Sequence, residues 1–151
     1  MSISIQPAII NDLEKLDRIE KDCFGKDAYP KDYLSYLLIV QNSATLVAKV
    51  DEEISGFIIG LTFGHDKISI GHIYTLDVST EHRRIGVGSR LLKELERIFK
   101  DRGVSICYLE TRLDDTVARS FYRKHGYTEA QMLKNYYATE KHGIRLKKTL
   151  Q

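Results

Sequence analysis

The chain has no tryptophan, only two prolines, two cysteines and two methionines in 151 residues. With prolines this scarce and no Pro/Gly/Ser tract, the sequence offers no linker, no low-complexity segment and no internal repeat. No apolar run reaches the roughly 20 residues a membrane-spanning helix needs. The N-terminus lacks the charged-then-apolar order of a secretory signal. A cytoplasmic protein without a membrane partner is therefore expected. Cys23 and Cys107 stand in apolar contexts and share no metal-ligand spacing, which argues for reduced, buried thiols and against a disulfide scaffold or a metal site. An excess of one charge is missing too: 23 Lys and Arg face 21 Asp and Glu, a net charge of +2. That balance gives no global signature of nucleic-acid binding, so any cationic site must be local. Apolar residues make up 42%, enough for one sizeable core, and a single domain over residues 1–151 is expected.

What is present is a regular alternation of elements. Ile3 and Ile5 alternate with polar residues as a first strand, and Asn11 or Asp12 is placed to cap a helix carrying Leu13, Leu16 and Ile19 on one face. Pro30 opens a second, short helix. "ATLVAKV", "ISGFIIGLTFG" and "ISIGHIYTLDVS" read as three strands, the first two forming a hairpin around "DEE". From Val87, the positions Leu91, Leu92, Leu95, Ile98 and Phe99 form one apolar helical face. "VSICYLET" is a buried strand. Asp114 or Asp115 caps a further helix, ended by Gly126, and two strands follow. The last, "GIRLKKTL", is expected at a sheet edge because of its lysines. The order β-α-α-β-β-β-α-β-α-β-β predicts a mixed α/β fold around one central sheet.

The informative stretch is "EHRRIGVGSRLLKELERIFK", residues 81–100. A strand ends at Val78, a cationic turn follows, and a glycine-rich segment enters a helix. The first turn of a helix leaves backbone N–H groups unpaired, and its dipole favours an anion. Gly86 and Gly88 let a pyrophosphate approach those groups, and Arg83 and Arg84 add charge. No Gly-Lys-Ser/Thr follows, so this is not a Walker A loop, and the third glycine of a dinucleotide fingerprint is absent. A solvated basic turn is the bland alternative.

The segment Arg83-Arg84-Ile85-Gly86-Val87-Gly88 resembles the Arg/Gln-x-x-Gly-x-Gly/Ala signature of the GNAT superfamily of acetyl-CoA-dependent N-acetyltransferases. The similarity extends from "LEKLDRIEKDCF" through "VARSFYRKHGY" to "KNYYATEKHG". Through "GHIYTLDV", "YLETR" and "NYY" the chain looks most like the N-terminal (Nα) protein acetyltransferases, which include the bacterial RimI-type ribosomal-protein alanine acetyltransferases and archaeal enzymes. The resemblance implies a mostly antiparallel sheet with a splayed parallel strand pair, flanked by helices. It implies acetyl-CoA as co-substrate, with its pyrophosphate held by the backbone of Arg84, Ile85, Gly86, Val87, Gly88 and Ser89 and supported by Arg83. Pantetheine would pair with the backbone around Leu76 and Val78, and the Val78 N–H would lie near the thioester carbonyl.

Glu110 matches the glutamate that serves RimI-type enzymes as general base, and the plainer reading pairs it with Arg112. Tyr122 matches the tyrosine that can protonate the departing CoA thiolate. His72 and His82 read as ordinary strand and turn histidines. Phe24, Asp27, Tyr29 and Tyr33 lie where the family places its substrate loop, and Tyr136 and Tyr137 match tyrosines that close over the acceptor. Two departures stand out: Asp115 replaces a frequent Asn, and Lys141-His142 replaces an acidic pair. A free α-amine titrates at about 7.7–8.0 against about 10.4 for lysine, so holding a lysine neutral costs roughly 3–4 kcal/mol more. A single carboxylate base therefore suits a protein or peptide N-terminus. The alternatives are an enzyme acting on a small amine or a lysine side chain, and a non-catalytic acyl-CoA-binding module, which Glu110 and Tyr122 together disfavour. Direct transfer in a ternary complex is expected, by a monomer or homodimer.

Overall fold

A computed structural model of the chain describes residues 2–65 and 68–150. The strands are β1 (Ile3–Pro7), β2 (Leu46–Val50), β3 (Glu53–His65), β4 (Ile68–Val78), β5 (Ile106–Arg112), β6 (Thr128–Ala138) and β7 (Lys141–Thr149). The helices are α1 (Leu13–Phe24), α2 (Lys31–Ile39), α3 (Val87–Asp101) and α4 (Thr116–Lys124). The strands form one sheet in the order β1-β2-β3-β4-β5-β7-β6. Every pairing is antiparallel except β4 with β5. This is the expected mixed architecture, element for element.

Both faces of the sheet are covered, which explains why β2 and β3 read as near-continuous apolar runs rather than alternating ones. One face packs Leu91, Leu92, Leu95 and Phe99 of α3 and Tyr122 of α4 against Ile58, Ile73, Cys107 and Leu109. The other packs Leu16 and Ile19 of α1 and Leu34, Leu37 and Leu38 of α2 against Val47, Phe57, Ile59 and Leu61. The α3 helix lies close on the sheet because β4 has no side chain at Gly71, where a Cβ would stand 2.4 Å from the Phe99 ring.

Two details differ from the sequence reading. Strand β7 is not an edge: it lies between β5 and β6, so β6 is the exposed strand. Its Lys148 neutralises a buried carboxylate, donating to Glu96 Oε1 at 2.8 Å, rather than guarding an edge. The Asp12 carboxylate turns back to accept from the Ile9 N–H at 2.9 Å and does not cap α1. Asp115 does cap α4, accepting from the Ala118 N–H at 2.9 Å.

The feature that creates a site is local. The parallel register of β4 and β5 runs only from Ile70/Ile106 to Ile73/Leu109. Beyond it β4 continues to Val78 and β5 to Arg112 without pairing to each other. The register of β3 with β4 slips where the strands part, leaving Tyr74 as an extra residue between Ile73 and Thr75. A bulge of this kind increases local twist and bends its strand, here where β4 leaves β5.

Candidate active site

The turn after β4 is built from backbone. Arg84 and Gly86 both adopt left-handed conformations, at φ 65° and 90°. Gly86 is the N-cap of α3, with no side-chain cap hydrogen bond and no acidic residue in the first helical turn. The N–H groups that a helix leaves unpaired therefore lack the usual carboxylate or hydroxyl. A Cβ at Gly86 would meet nothing within 4 Å, so the space above the turn is open. The Ser89 hydroxyl is engaged with His125 Nε2 at 2.9 Å, leaving its backbone to the turn. Arg83 folds back: its Nε donates to the Val78 carbonyl at 3.0 Å, and its guanidinium reaches Cys23 Sγ. Arg84 is exposed. An anionic group with several acceptor oxygens fits this turn.

The gap itself offers a second set of backbone groups. The Ser79 N–H donates to the Ser55 carbonyl at 2.8 Å. Alternation in an antiparallel ladder then turns the peptide groups of Val78 and Leu76 away from β3 and toward the space β5 has left. An extended amide-bearing chain could add there as a strand does. The turn and the gap thus offer an anion site and a strand-like row of backbone groups from one end of β4.

Side chains dominate on the α1/α2 face. Glu110 accepts from Arg145 Nε at 2.8 Å and contacts His72 Nε2 at 2.7 Å. Burial pushes its carboxyl up, but the hydrogen bonds and charges of His72 and Arg145 outweigh that and hold it below the ordinary glutamate range. An ionised carboxylate only accepts, so His72 Nε2 donates in this contact. Arg112, the partner expected for Glu110, instead pairs with Asp27 at 3.0 Å and with Asp114 at 3.0 Å. Asp27 is thereby tied to the end of β5.

Tyrosines surround this group. Tyr29 and Tyr33 lie 5.2 Å apart, ring to ring, Tyr74 packs edge-on to His72 at 4.4 Å, and Tyr136 and Tyr137 form a T-shaped pair at 5.0 Å. The Tyr29 hydroxyl reaches the Tyr74 carbonyl at 3.4 Å. Burial first, then the neighbouring charges, Glu110 among them, raise Tyr74, Tyr136 and Tyr137, so all remain neutral hydroxyls. Phe24 ends α1 and is 39% exposed. It makes no ring contact with this cluster among the described residues.

Tyr122 lies on the opposite face, buried against Phe121 and Tyr127 at 5.2 and 5.6 Å. Burial first, then nearby Cys107 and Asp77, raise its hydroxyl, which is thus a neutral proton donor. The thiols are poor nucleophiles: burial raises Cys23, and raises Cys107 to about 12. Among the described residues no group of three or more His, Cys, Asp or Glu could hold a metal ion.

Sequence reasoning missed His72 and Arg145. They lie 38 and 35 residues from Glu110, on strands that only the sheet order brings beside β5. The remaining signal was parity: His72 is in register with Tyr108 across the parallel pair, and Arg145 with Glu110 across β5 and β7.

Comparison with known proteins agrees with this geometry. The model of the acetyltransferase (GNAT) family matches residues 12–127. An uncharacterized N-acetyltransferase of Methanocaldococcus jannaschii is 33% identical over 128 residues, covering 83% of this chain and 78% of that protein. An N-alpha-acetyltransferase of Sulfurisphaera tokodaii is 29% identical over 147 residues, covering 89% and 85%. Among solved structures, Arabidopsis thaliana Naa50 in complex with the bisubstrate analogue CoA-Ac-MVNAL superposes with a TM-score of 0.86 at 21% identity, covering 99% of each chain. The chain belongs to the acetyltransferase (GNAT) family and is an acetyl-CoA-dependent N-acetyltransferase.

Proposed function

We propose that this enzyme acetylates the α-amine of protein N-termini. The observation that carries the reading is the His72–Glu110 pair, which lies where β4 and β5 part, on the sheet face opposite Tyr122, among tyrosines of α1–α2 and β6–β7. Acetyl-CoA lies in the gap, its pyrophosphate on the amides of Arg84 to Ser89 and its pantetheine along Leu76 and Val78. The acceptor enters between Tyr29 and the Tyr136–Tyr137 pair.

Glu110 works as a carboxylate that fixes the tautomer and orientation of His72, and His72 Nδ1 receives the amine proton, directly or through one water. This refines the expectation that Glu110 alone is the base. The amine lone pair then attacks the thioester carbon, and the Val78 N–H stabilises the oxyanion. The C–S bond breaks as the carbonyl re-forms, the sulfur takes a proton from Tyr122, and the second proton of the attacking nitrogen restores the Tyr122 hydroxyl through solvent. An imidazole base is well matched to an α-amine of about 7.7–8.0 and poorly matched to a lysine of about 10.4. The relatives named N-alpha-acetyltransferase support the same acceptor.

The test is an acetylation assay over short peptides differing in their first two residues, run beside spermidine and an N-terminally blocked lysine peptide. The proposal expects turnover at the α-amine of at least one peptide class, well above either control. Transfer to spermidine or lysine with none to any α-amine would overturn it.

A further inference from the structure

Beneath the acceptor site lies a cluster that the chemistry above does not use. Glu20 of α1 and Asp77 of β4 are each 1% exposed, and Thr75 lies between them. The Thr75 hydroxyl is 3.0 Å from Glu20 Oε1 and 2.5 Å from Asp77 Oδ1. Glu20 Oε2 also accepts from the Tyr29 N–H at 3.0 Å. Three elements meet here: α1, the acceptor loop at Tyr29, and the part of β4 that has left β5.

Counting protons shows what holds them. A threonine hydroxyl has one hydrogen and donates once, yet Thr75 Oγ1 makes two contacts of hydrogen-bond length, both to carboxyl oxygens. The second contact needs a proton from a carboxyl. Written as two carboxylates, the pair also leaves a buried charge on Asp77 whose Oδ2 lacks any donor, whereas a protonated Asp77 leaves only a neutral carbonyl oxygen there. Two buried like charges this close cannot both ionise cheaply.

We infer that Glu20, Thr75 and Asp77 form a one-proton clasp that fastens the acceptor loop to the open end of β4, so that losing the proton loosens the acceptor site. Glu20 and Asp77 are positioning residues; neither touches the reacting atoms. Direction agrees with geometry: burial first, then the charge and hydrogen bond of Glu20, raise Asp77 well above its ordinary value. The other groups facing Asp77 are Cys23 of α1, Arg83 of the following turn and Tyr122 of α4. Arg83 opposes the shift, while Cys23 and Tyr122 are themselves raised and stay neutral alongside it. Because the native acid is raised, the folded chain binds more protons than the unfolded one above about pH 4. The stability this proton confers is present at low pH and lost as pH rises through the folded value.

Asp77→Asn supplies a permanent donor in place of the proton. Its melting temperature relative to wild type should rise with pH above the unfolded carboxyl value and level off once the native proton is lost, reaching a gain of several degrees. As that proton is lost, the acceptor KM of wild type should climb relative to that of the variant by about 3-fold or more, with kcat changing less. Glu20→Gln should behave likewise, which covers the case in which Asp77→Asn folds poorly. In wild type, the infrared carbonyl band of a neutral carboxyl should persist at neutral pH and lose intensity in either variant. The KM arm rests on the acceptor reading above; the melting and infrared arms do not, so failure of that reading leaves the clasp tested. Parallel melting–pH curves for wild type and both variants, or no neutral-carboxyl band at neutral pH, would overturn the inference.

Discussion

The turn at Arg83–Ser89 presents peptide groups, whereas the acceptor face at His72, Glu110 and Arg145 presents side chains that hold one another across three strands. The first is local: four consecutive residues, Arg83 to Gly86, and a helix start complete it, and its demands are on backbone conformation. The second is assembled from β4, β5 and β7 together with a loop between α1 and α2, and its demands are on charge. A local backbone site tolerates many side chains but few changes of conformation. An assembled side-chain site can lose one group and keep its shape. The two halves should therefore fail in different ways.

The largest effect is expected on the backbone side. Gly86→Asp places a branched, anionic residue at φ 90°, in the space an anion would use. Left-handed strain of about 1–2 kcal/mol adds to charge repulsion, and every 1.4 kcal/mol is tenfold. CoA affinity by calorimetry should fall by about 100-fold or more, with the helix still formed by circular dichroism. Retention of wild-type affinity would break the contrast between the halves.

A smaller effect sharpens the contrast from the other side. The Glu110 carboxyl is held below its ordinary range, burial being outweighed by His72 and Arg145. Its contribution to stability is thus complete above its unfolded value of about 4.3 and is lost as pH falls through the lower folded value. Thermal unfolding of wild type should lose a few degrees across that acidic window relative to Glu110→Gln. No comparable dependence should follow from a neutral substitution in the turn, which contains no acidic residue.

The same division decides what could be read in the sequence. The turn and α3 were legible because everything they need is contiguous: the basic pair, the glycines and an apolar face from Val87 to Phe99. Family resemblance singled out Glu110, Tyr122, Tyr136 and Tyr137, and of these the structure brings Tyr136 and Tyr137 beside Glu110. The partners of Glu110 were not, since Arg112 is nearest in sequence while β7 delivers Arg145 from 35 residues away. The insertion of β7 between β5 and β6 was hidden for a related reason. Lysines on a final strand suggest an exposed edge, and only the buried Glu96 shows what Lys148 is for. Buried acids on helices, such as Glu20 and Glu96, look like solvent-facing residues until the sheet covers them.

The central claim is that cofactor binding and catalysis reside in these separable halves. Glu110→Gln and Tyr122→Phe should each bind CoA with wild-type affinity while kcat falls, by about 100-fold for the lost carboxylate that orients the His72 base and somewhat less for a lost acid. Measuring CoA affinity and single-turnover acetyl transfer in both variants tests this most directly. Unchanged affinity with the expected loss of rate supports the account, and unchanged rates in both variants contradict it.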